Sequence, residues 1–320
     1  MMGRPLLPPR PDAPPLRSVL FVPGSDERRL RSAPDTGADA LILDLEEPQT
    51  PMTEAVRERA RATVAAFLDT QPVADPTRRP LLFCRVQPAR TGQMWADLMA
   101  CMRPALTGIA LPKSYGAHDL VGADAVLANA EAHVGRAIGS TWVYPIFETA
   151  ESIRSAYDIA VASPRVAYMG GAISRFGDIH QAIGFRWTAR SDETHWLRSK
   201  LLVDARAAGI RYPISGMWGG DTDDLDALRA FATDLRDLGY YGMMLGHPAH
   251  IPLVHEVFTP SAAEVAYWQE LVTLGDEADR TGEGPVLHGD PNQGEAYVVH
   301  GAHIGSARLN LEWARALGLG

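Results

Sequence analysis

Short apolar runs recur along the chain, at 17–22 (RSVLFV), 40–45 (ALILDL), 81–86 (LLFCRV), 108–112 (GIALP), 142–147 (WVYPIF), 165–169 (RVAYM), 212–215 (YPIS) and 241–245 (YGMML). They are continuous rather than alternating, the pattern of strands covered on both faces. Between them lie stretches with helical spacing, such as Val56, Ala60, Val64 and Phe67 after Thr50-Pro51, or Leu197, Leu201 and Ala205 before Gly209. Eight strand–helix units, with no G-x-G-x-x-G after the first strand, predict an α/β fold of the (β/α)8 TIM-barrel type rather than an open doubly wound sheet.

The pattern changes at both ends. Residues 1–15 (MMGRPLLPPRPDAPP) are proline-rich, lack the apolar core of a secretion signal and read as a disordered tail. Residues 16–278 form the predicted catalytic barrel, with a helix near 261–275. From 279 to 320 the chain reads as a linker, rich in Gly, Pro and Asp at 282–294, followed by a C-terminal helical lid near 296–318.

Composition narrows the partners. A chain of 320 residues with 46% hydrophobic content can build one large core. Its formal charge of −9 argues against nucleic acid or an anionic membrane as the main partner, and no apolar run approaches the roughly 20 residues of a membrane span. Cys84 and Cys101 have no metal-ligand spacing and read as buried thiols of a reducing compartment, so a cytoplasmic location is expected. Arginine outnumbers lysine heavily: Lys113 and Lys200 are the only lysines.

Barrel enzymes work at the C-terminal ends of their strands. There the sequence places Asp44, Glu46 and Glu47 after the second strand, Arg85 on the third, Lys113 after the fourth, Glu148 after the fifth and Asp178 after the sixth. Two carboxylates from neighbouring strands, Glu148 and Asp178, suit a hard divalent cation such as Mg²⁺ that keeps positions for water and substrate oxygens. Arg85 suits a bidentate grip on a substrate carboxylate. Each residue also has a plainer reading: Glu148 complementing a helix dipole, Asp178 capping a helix, Arg85 in a structural ion pair, Lys113 snorkelling at the rim. His247, His250 and His255 lack a carboxylate-linked zinc motif and read as loop and helix residues.

Taken together, RSVLFVPGSDERRLRSAPDTGADALILDLEEPQTP, FCRVQP, GIALPKS, YPIFETAESI, SPRVAYMGG, ARAAGI and LGYYGMMLGHPAHIPLVHEVFTPSAAEV resemble the citrate lyase β-subunit-like proteins. These belong to the HpcH/HpaI aldolase superfamily, with the malyl-CoA and citramalyl-CoA lyases, and the resemblance spans about 17–275. It implies a Mg²⁺- or Mn²⁺-dependent barrel lyase, usually a homo-oligomer (trimer or hexamer), that cleaves or forms a carbon–carbon bond next to a carboxylate. The implied substrate is a β-hydroxyacyl-CoA, split into an acyl-CoA and a 2-oxo acid; CoA is substrate, not prosthetic group.

By that resemblance Glu148 and Asp178 are metal ligands. Arg85, Asp44, Glu46 and Lys113 are catalytic, and Arg17, Arg28, Arg85, Pro112, Gly170 and Gly171 bind substrate. A lid acid/base falls at His300, where the family has an aspartate. The chain departs from the pattern at Gly177 and Ala182, where acidic residues are usual, and at Ser32, where a lysine is usual; Arg28, Arg29 and Arg31 remain available to phosphates. These departures leave three alternatives open: a pyruvate-type aldolase acting without CoA, for which Lys113 permits a Schiff base, an acyl-CoA thioester hydrolase, and a barrel that binds without turnover.

Overall fold

The computed structural model describes residues 10–47, 52–282, 287–289 and 296–319. These divide into two compact units, one up to Phe258 and one from Thr259. The first contains eight parallel strands: β1 (Ser18–Pro23), β2 (Ala40–Asp44), β3 (Leu81–Arg85), β4 (Gly108–Leu111), β5 (Trp142–Phe147), β6 (Gly170–Gly171), β7 (Ile214–Met217) and β8 (Gly242–Leu245). Their order is β6-β5-β4-β3-β2-β1-β8-β7. Between β7 and the β6 region, the Ile214 N–H donates to the Met169 carbonyl and the Met217 N–H to that of Ile173, each at 3.1 Å. The sheet is thus a nearly closed barrel with helices around it, as the periodicity predicted.

The unbroken apolar runs follow from this closure. Along β2, Ala40 and Ile42 face the barrel interior with Phe83, Tyr144 and Tyr168, while Leu41 and Leu43 face the helices with Leu20, Leu82 and Ile109. Successive side chains on a strand point to opposite faces, and here both faces are dry. Inside, Phe83 meets Tyr144 and Tyr168 edge-on, with ring centroids 6.0 and 5.9 Å apart. Burying each such ring contributes about 2–3 kcal/mol. Cys84 and Cys101 are buried free thiols.

Two expectations of the sequence reading change. The sixth strand lies at Gly170–Gly171, and the run at 165–169 supplies only a bridge from Val166 to Val143. The reason is steric: at Gly171, with φ of +127°, a Cβ would stand 2.4 Å from the Phe147 carbonyl oxygen. Only glycine fits so close an approach, yet in a sequence glycine reads as a break. The described part of the expected tail is also fastened rather than disordered. Arg10 donates to the carbonyls of Ala208 and Val166 at 3.0 and 3.1 Å, Tyr168 Oη donates to the Pro14 carbonyl at 2.7 Å, and Ala13 joins the interior cluster.

The second unit holds a helix (Ala262–Thr281), a short antiparallel pair (β9, Leu287–Gly289; β10, Ala296–Val298) and the last helix (Gly301–Ala316). The first helix starts at a reciprocal Ser261–Glu264 cap. The two helices approach closely at Gly275, where a Cβ would meet Ile304 at 2.5 Å. That packing puts the boundary of the unit before the 261–275 helix, which the sequence pattern attached to the barrel. Within the expected linker, 287–289 forms a strand, and 283–286 and 290–294 lie outside the described residues. Among the described residues no helix is long and apolar enough to cross a membrane.

Candidate active site

The mouth is assembled by register. In the parallel β2–β3 pair Asp44 lies opposite Arg85, so two strand-end residues meet across one ladder rung. Arg85 Nε and Nη2 donate to the two Asp44 carboxylate oxygens at 2.8 and 2.7 Å, and Nη1 pairs with Glu46 Oε2 at 2.8 Å. Asp44 Oδ1 also accepts the N–H groups of Glu46 (3.0 Å) and Glu47 (3.3 Å), folding the acidic turn back over the strand ends. Phe21 of β1 lies under the guanidinium, 5.2 Å from ring centroid to Cζ. Burial opposes the Arg85 charge, but Asp44 and then Glu46 outweigh it and hold the group above its usual pKa.

Lys113 ties the acidic turn to the other two strand-end carboxylates. Its Nζ stands 3.0 Å from Glu46 Oε1, 3.0 Å from Glu47 Oε1 and 3.4 Å from Asp178 Oδ2. Its backbone N–H donates to Glu148 Oε1 at 2.9 Å. Burial again opposes the charge, and Glu46, with Glu47 and Asp178, raises the ammonium above the ordinary lysine range.

The plainer readings of Glu148 and Asp178 do not describe their geometry. The helix after β5 (Ala150–Arg154) is capped by Thr149, whose hydroxyl accepts the Ser152 N–H, while the Glu148 carboxylate accepts from Lys113. The helix Asp178–Ile183 has Gly177 at its cap position, and Asp178 is its first residue, without a capping bond. Both carboxylates line a cavity of about 290 Å³ that Asp44, Glu47 and Arg85 also line. Burial pushes Glu148 up to about 8, reinforced by repulsion from Glu46 and Asp178 and only partly offset by Arg85 and Lys113. Burial likewise raises Glu46. Mutually repelling carboxylates around one cavity suit a divalent cation, and Mg²⁺ typically takes only one or two carboxylates plus water and substrate oxygens. Among the described residues no group of three or more His, Cys, Asp or Glu side chains could hold a metal.

Other predicted residues are dispersed. Arg17 stands at the opposite end of the barrel, before β1, where Nε and Nη2 grip Asp39 at 2.9 Å each; a substrate role at the mouth is excluded by that placement. Arg28 is exposed on the helix Glu27–Ser32 and does not line the cavity. On the same helix Arg29 and Arg31 pair with Asp26 and Glu27. Pro112 is buried between β4 and Lys113, and Gly171 lines the cavity while Gly170 packs against Tyr144. His300 is in the second unit, exposed at the N-terminus of the last helix, its N–H donating to His303 Nδ1 at 2.9 Å.

His247 and His250 pack ring against ring, centroids 5.9 Å apart, and His255 lies elsewhere. His247 caps a short turn, His250 Nε2 lies 3.0 Å from the Thr222 carbonyl and His255 Nε2 lies 2.7 Å from Ser18 Oγ. What the sequence reading missed is the apolar wall: Phe21, Ile146, Phe147, Met217 and Met244 line the cavity, with Ser174 beside them. A search for charge at strand ends passes over such residues; the alternation that turns Ile146 and Met244 inward was the available signal.

The protein is thus a (β/α)8 barrel with carboxylates and two braced cations, Arg85 and Lys113, at its C-terminal mouth, where barrel enzymes carry their active sites. Residues 17–248 match the HpcH/HpaI aldolase/citrate lyase family, and the chain belongs to it. A (3S)-malyl-CoA thioesterase of Cereibacter sphaeroides is 30% identical over 303 residues, covering 95% of this chain and 96% of the relative. The L-malyl-CoA/beta-methylmalyl-CoA lyase of the same species is 29% identical, over 88% and 91% of the two chains. Among solved structures, the citrate lyase beta subunit of Mycobacterium tuberculosis complexed with oxaloacetate and magnesium superposes with a TM-score of 0.58 at 26% identity, over 77% of this chain and 98% of that one.

Proposed function

We propose that the protein is a Mg²⁺-dependent lyase that splits a β-hydroxyacyl-CoA of the malyl-CoA or citramalyl-CoA class into an acyl-CoA and a 2-oxo acid, or runs the reverse condensation. The observation that carries this reading is the convergence of Glu148, Asp178 and Arg85 on one cavity with an apolar wall, with Lys113 Nζ 3.4 Å from Asp178 and its N–H on Glu148. The names of the two relatives, both acting on malyl-CoA, point to the same substrate class.

Glu148 and Asp178 would hold the ion, which when bound supplies Lewis acidity toward a substrate oxygen. In the cleavage direction the hydroxyl of the substrate gives its proton to a base, the bond between carbinol carbon and thioester α-carbon breaks, the O–H electron pair forms the carbonyl of the 2-oxo acid, and the C–C pair becomes the thioester enolate, which takes the proton back from the same base. Arg85, immobilised by Asp44 and Glu46, places a fixed positive charge in the wall; two of its five N–H groups stay free for a carboxylate of the acid product. Phe21, Met217 and Met244 exclude water from that face, which protects an enolate from random protonation. By the family resemblance His300 is the candidate for that acid/base. His300→Asn should lower kcat by about 10²-fold with KM nearly unchanged.

A second reading is favoured by one observation: the relative at 30% identity is named a thioesterase. The two readings share a substrate and differ in the bond broken. Incubation with malyl-CoA and Mg²⁺ separates them: glyoxylate with acetyl-CoA marks the lyase, and malate with free CoA thiol marks the hydrolase. If neither pair appears, while pyruvate exchanges its methyl protons for deuterium in a Mg²⁺-dependent way, the substrate is a hydroxy-oxo acid without CoA.

A further inference from the structure

We infer that Lys113 is an internal cation that competes with the divalent ion for Asp178 and so keeps the metal affinity of the free protein low; the inference rests on the assignment of Glu148 and Asp178 as metal ligands. Three features of the chain carry it.

The first is residue choice. Of the 30 basic residues only Lys113 and Lys200 are lysines. A planar guanidinium presents its donors in one fork, whereas an ammonium is a compact charge with three donors that accommodates carboxylates arriving from different directions. Glu46, Glu47 and Asp178 arrive in that way, on segments following β2 and β6, all within 3.4 Å of Nζ.

The second is backbone conformation. Lys113 sits at φ +50°, in the left-handed region that costs a non-glycine residue about 1 kcal/mol. That conformation aims its N–H at Glu148, and glycine would do the same without strain. Keeping lysine there means that its side chain is used as well as its backbone. Arg90 Nη1 donates to the Lys113 carbonyl at 2.7 Å and its guanidinium stacks on Tyr115 at 4.5 Å, so the strained residue is braced from outside the cavity.

The third is charge balance. Asp44, Glu46, Glu47, Glu148 and Asp178 surround the mouth, and among the described residues Arg85 and Lys113 are the positive groups paired with them. Arg85 is paired with Asp44 and Glu46. A divalent ion reaching Asp178 meets the ammonium already there, and like charges at that distance repel. Since the Lys113 and Asp178 side chains are 23% and 34% exposed, salt screens part of that repulsion.

Divalent-ion affinity of the substrate-free protein tests the inference, measured with Mn²⁺ by electron paramagnetic resonance and with Mg²⁺ by calorimetry. Lys113→Met and Lys113→Gly should both bind about tenfold more tightly than the parent chain, a gap that narrows as KCl is raised from 20 to about 500 mM, and Lys113→Arg, which keeps the charge but not the donor geometry, should fall between. The glycine variant removes charge and strain together, so it serves even if the methionine variant folds poorly; equal tightening in both assigns the effect to charge. Unchanged or weaker binding in the glycine variant overturns the inference. Glu148→Gln and Asp178→Asn separate this from the underlying site: if neither weakens ion binding, the metal assignment itself fails, whereas if both do and Lys113→Gly shows no tightening, only the competition is wrong.

Discussion

The two ends of the barrel each carry a buried arginine–aspartate pair, and they behave in opposite ways. At the N-terminal end Arg17 closes on Asp39, with Ser18 and His255 beside it. Burial would raise Asp39, but Arg17, helped by His255, outweighs it and holds the carboxyl below its usual range. At the mouth Arg85 closes on Asp44 with similar geometry, yet Glu46, Glu47, Glu148 and Asp178 crowd around it, and Glu148 is driven up to about 8. A balanced buried pair fastens strands; an unbalanced set of carboxylates is destabilising by itself and makes physical sense with a bound cation or substrate.

The contrast can be broken most forcefully at Glu148. Glu148→Gln should cost about 10³-fold in turnover while leaving the melting temperature equal or higher, since a repelling carboxylate is removed; steady-state product formation and a thermal melt on the same sample measure both. At the opposite end Asp39→Asn should do the reverse, losing about 2–4 kcal/mol of stability in urea with kcat unchanged, because it leaves Arg17 less well paired at a site remote from the chemistry. Gly171→Ala falls between the two regions in kind: a Cβ 2.4 Å from the Phe147 carbonyl, at φ +127°, should cost about 1–3 kcal/mol and displace the strand that leads to Asp178, lowering both stability and kcat.

The smallest effect is one of pH. With its folded pKa below the unfolded value of about 3.9, Asp39 contributes stability that is fully present above pH 4 and lost as pH falls through the folded pKa. Melting temperature measured from pH 5 down to pH 2 should therefore fall more steeply in the parent chain than in Asp39→Asn, and parallel curves would remove Asp39 from the acid transition.

Much of the barrel was legible because burial on both faces writes unbroken apolar runs, and seven of the eight strands overlap the runs that predicted them. The eighth, Gly170–Gly171, was hidden because its requirement is close approach to β5, which glycine satisfies by lacking a side chain. Arg17 was assigned by resemblance against its own position: it opens the β1 run, at the strand end opposite the one where Arg85 stands.

From its sequence alone the chain determined the class of fold, the identity of the charged strand-end residues and the likeness to one family of lyases. Those properties are local: hydrophobic period, strand-end chemistry and motif order are read along the chain. Which charges meet is not local. The β2–β3 register sets Asp44 against Arg85, a left-handed Lys113 reaches from β4 to carboxylates on three other segments, and Thr149 takes over the cap that leaves Glu148 free to face the cavity. Electrostatic energy depends on distances of a few ångströms between residues far apart in sequence, so the balance of charge at each end of the barrel was decided by the tertiary structure.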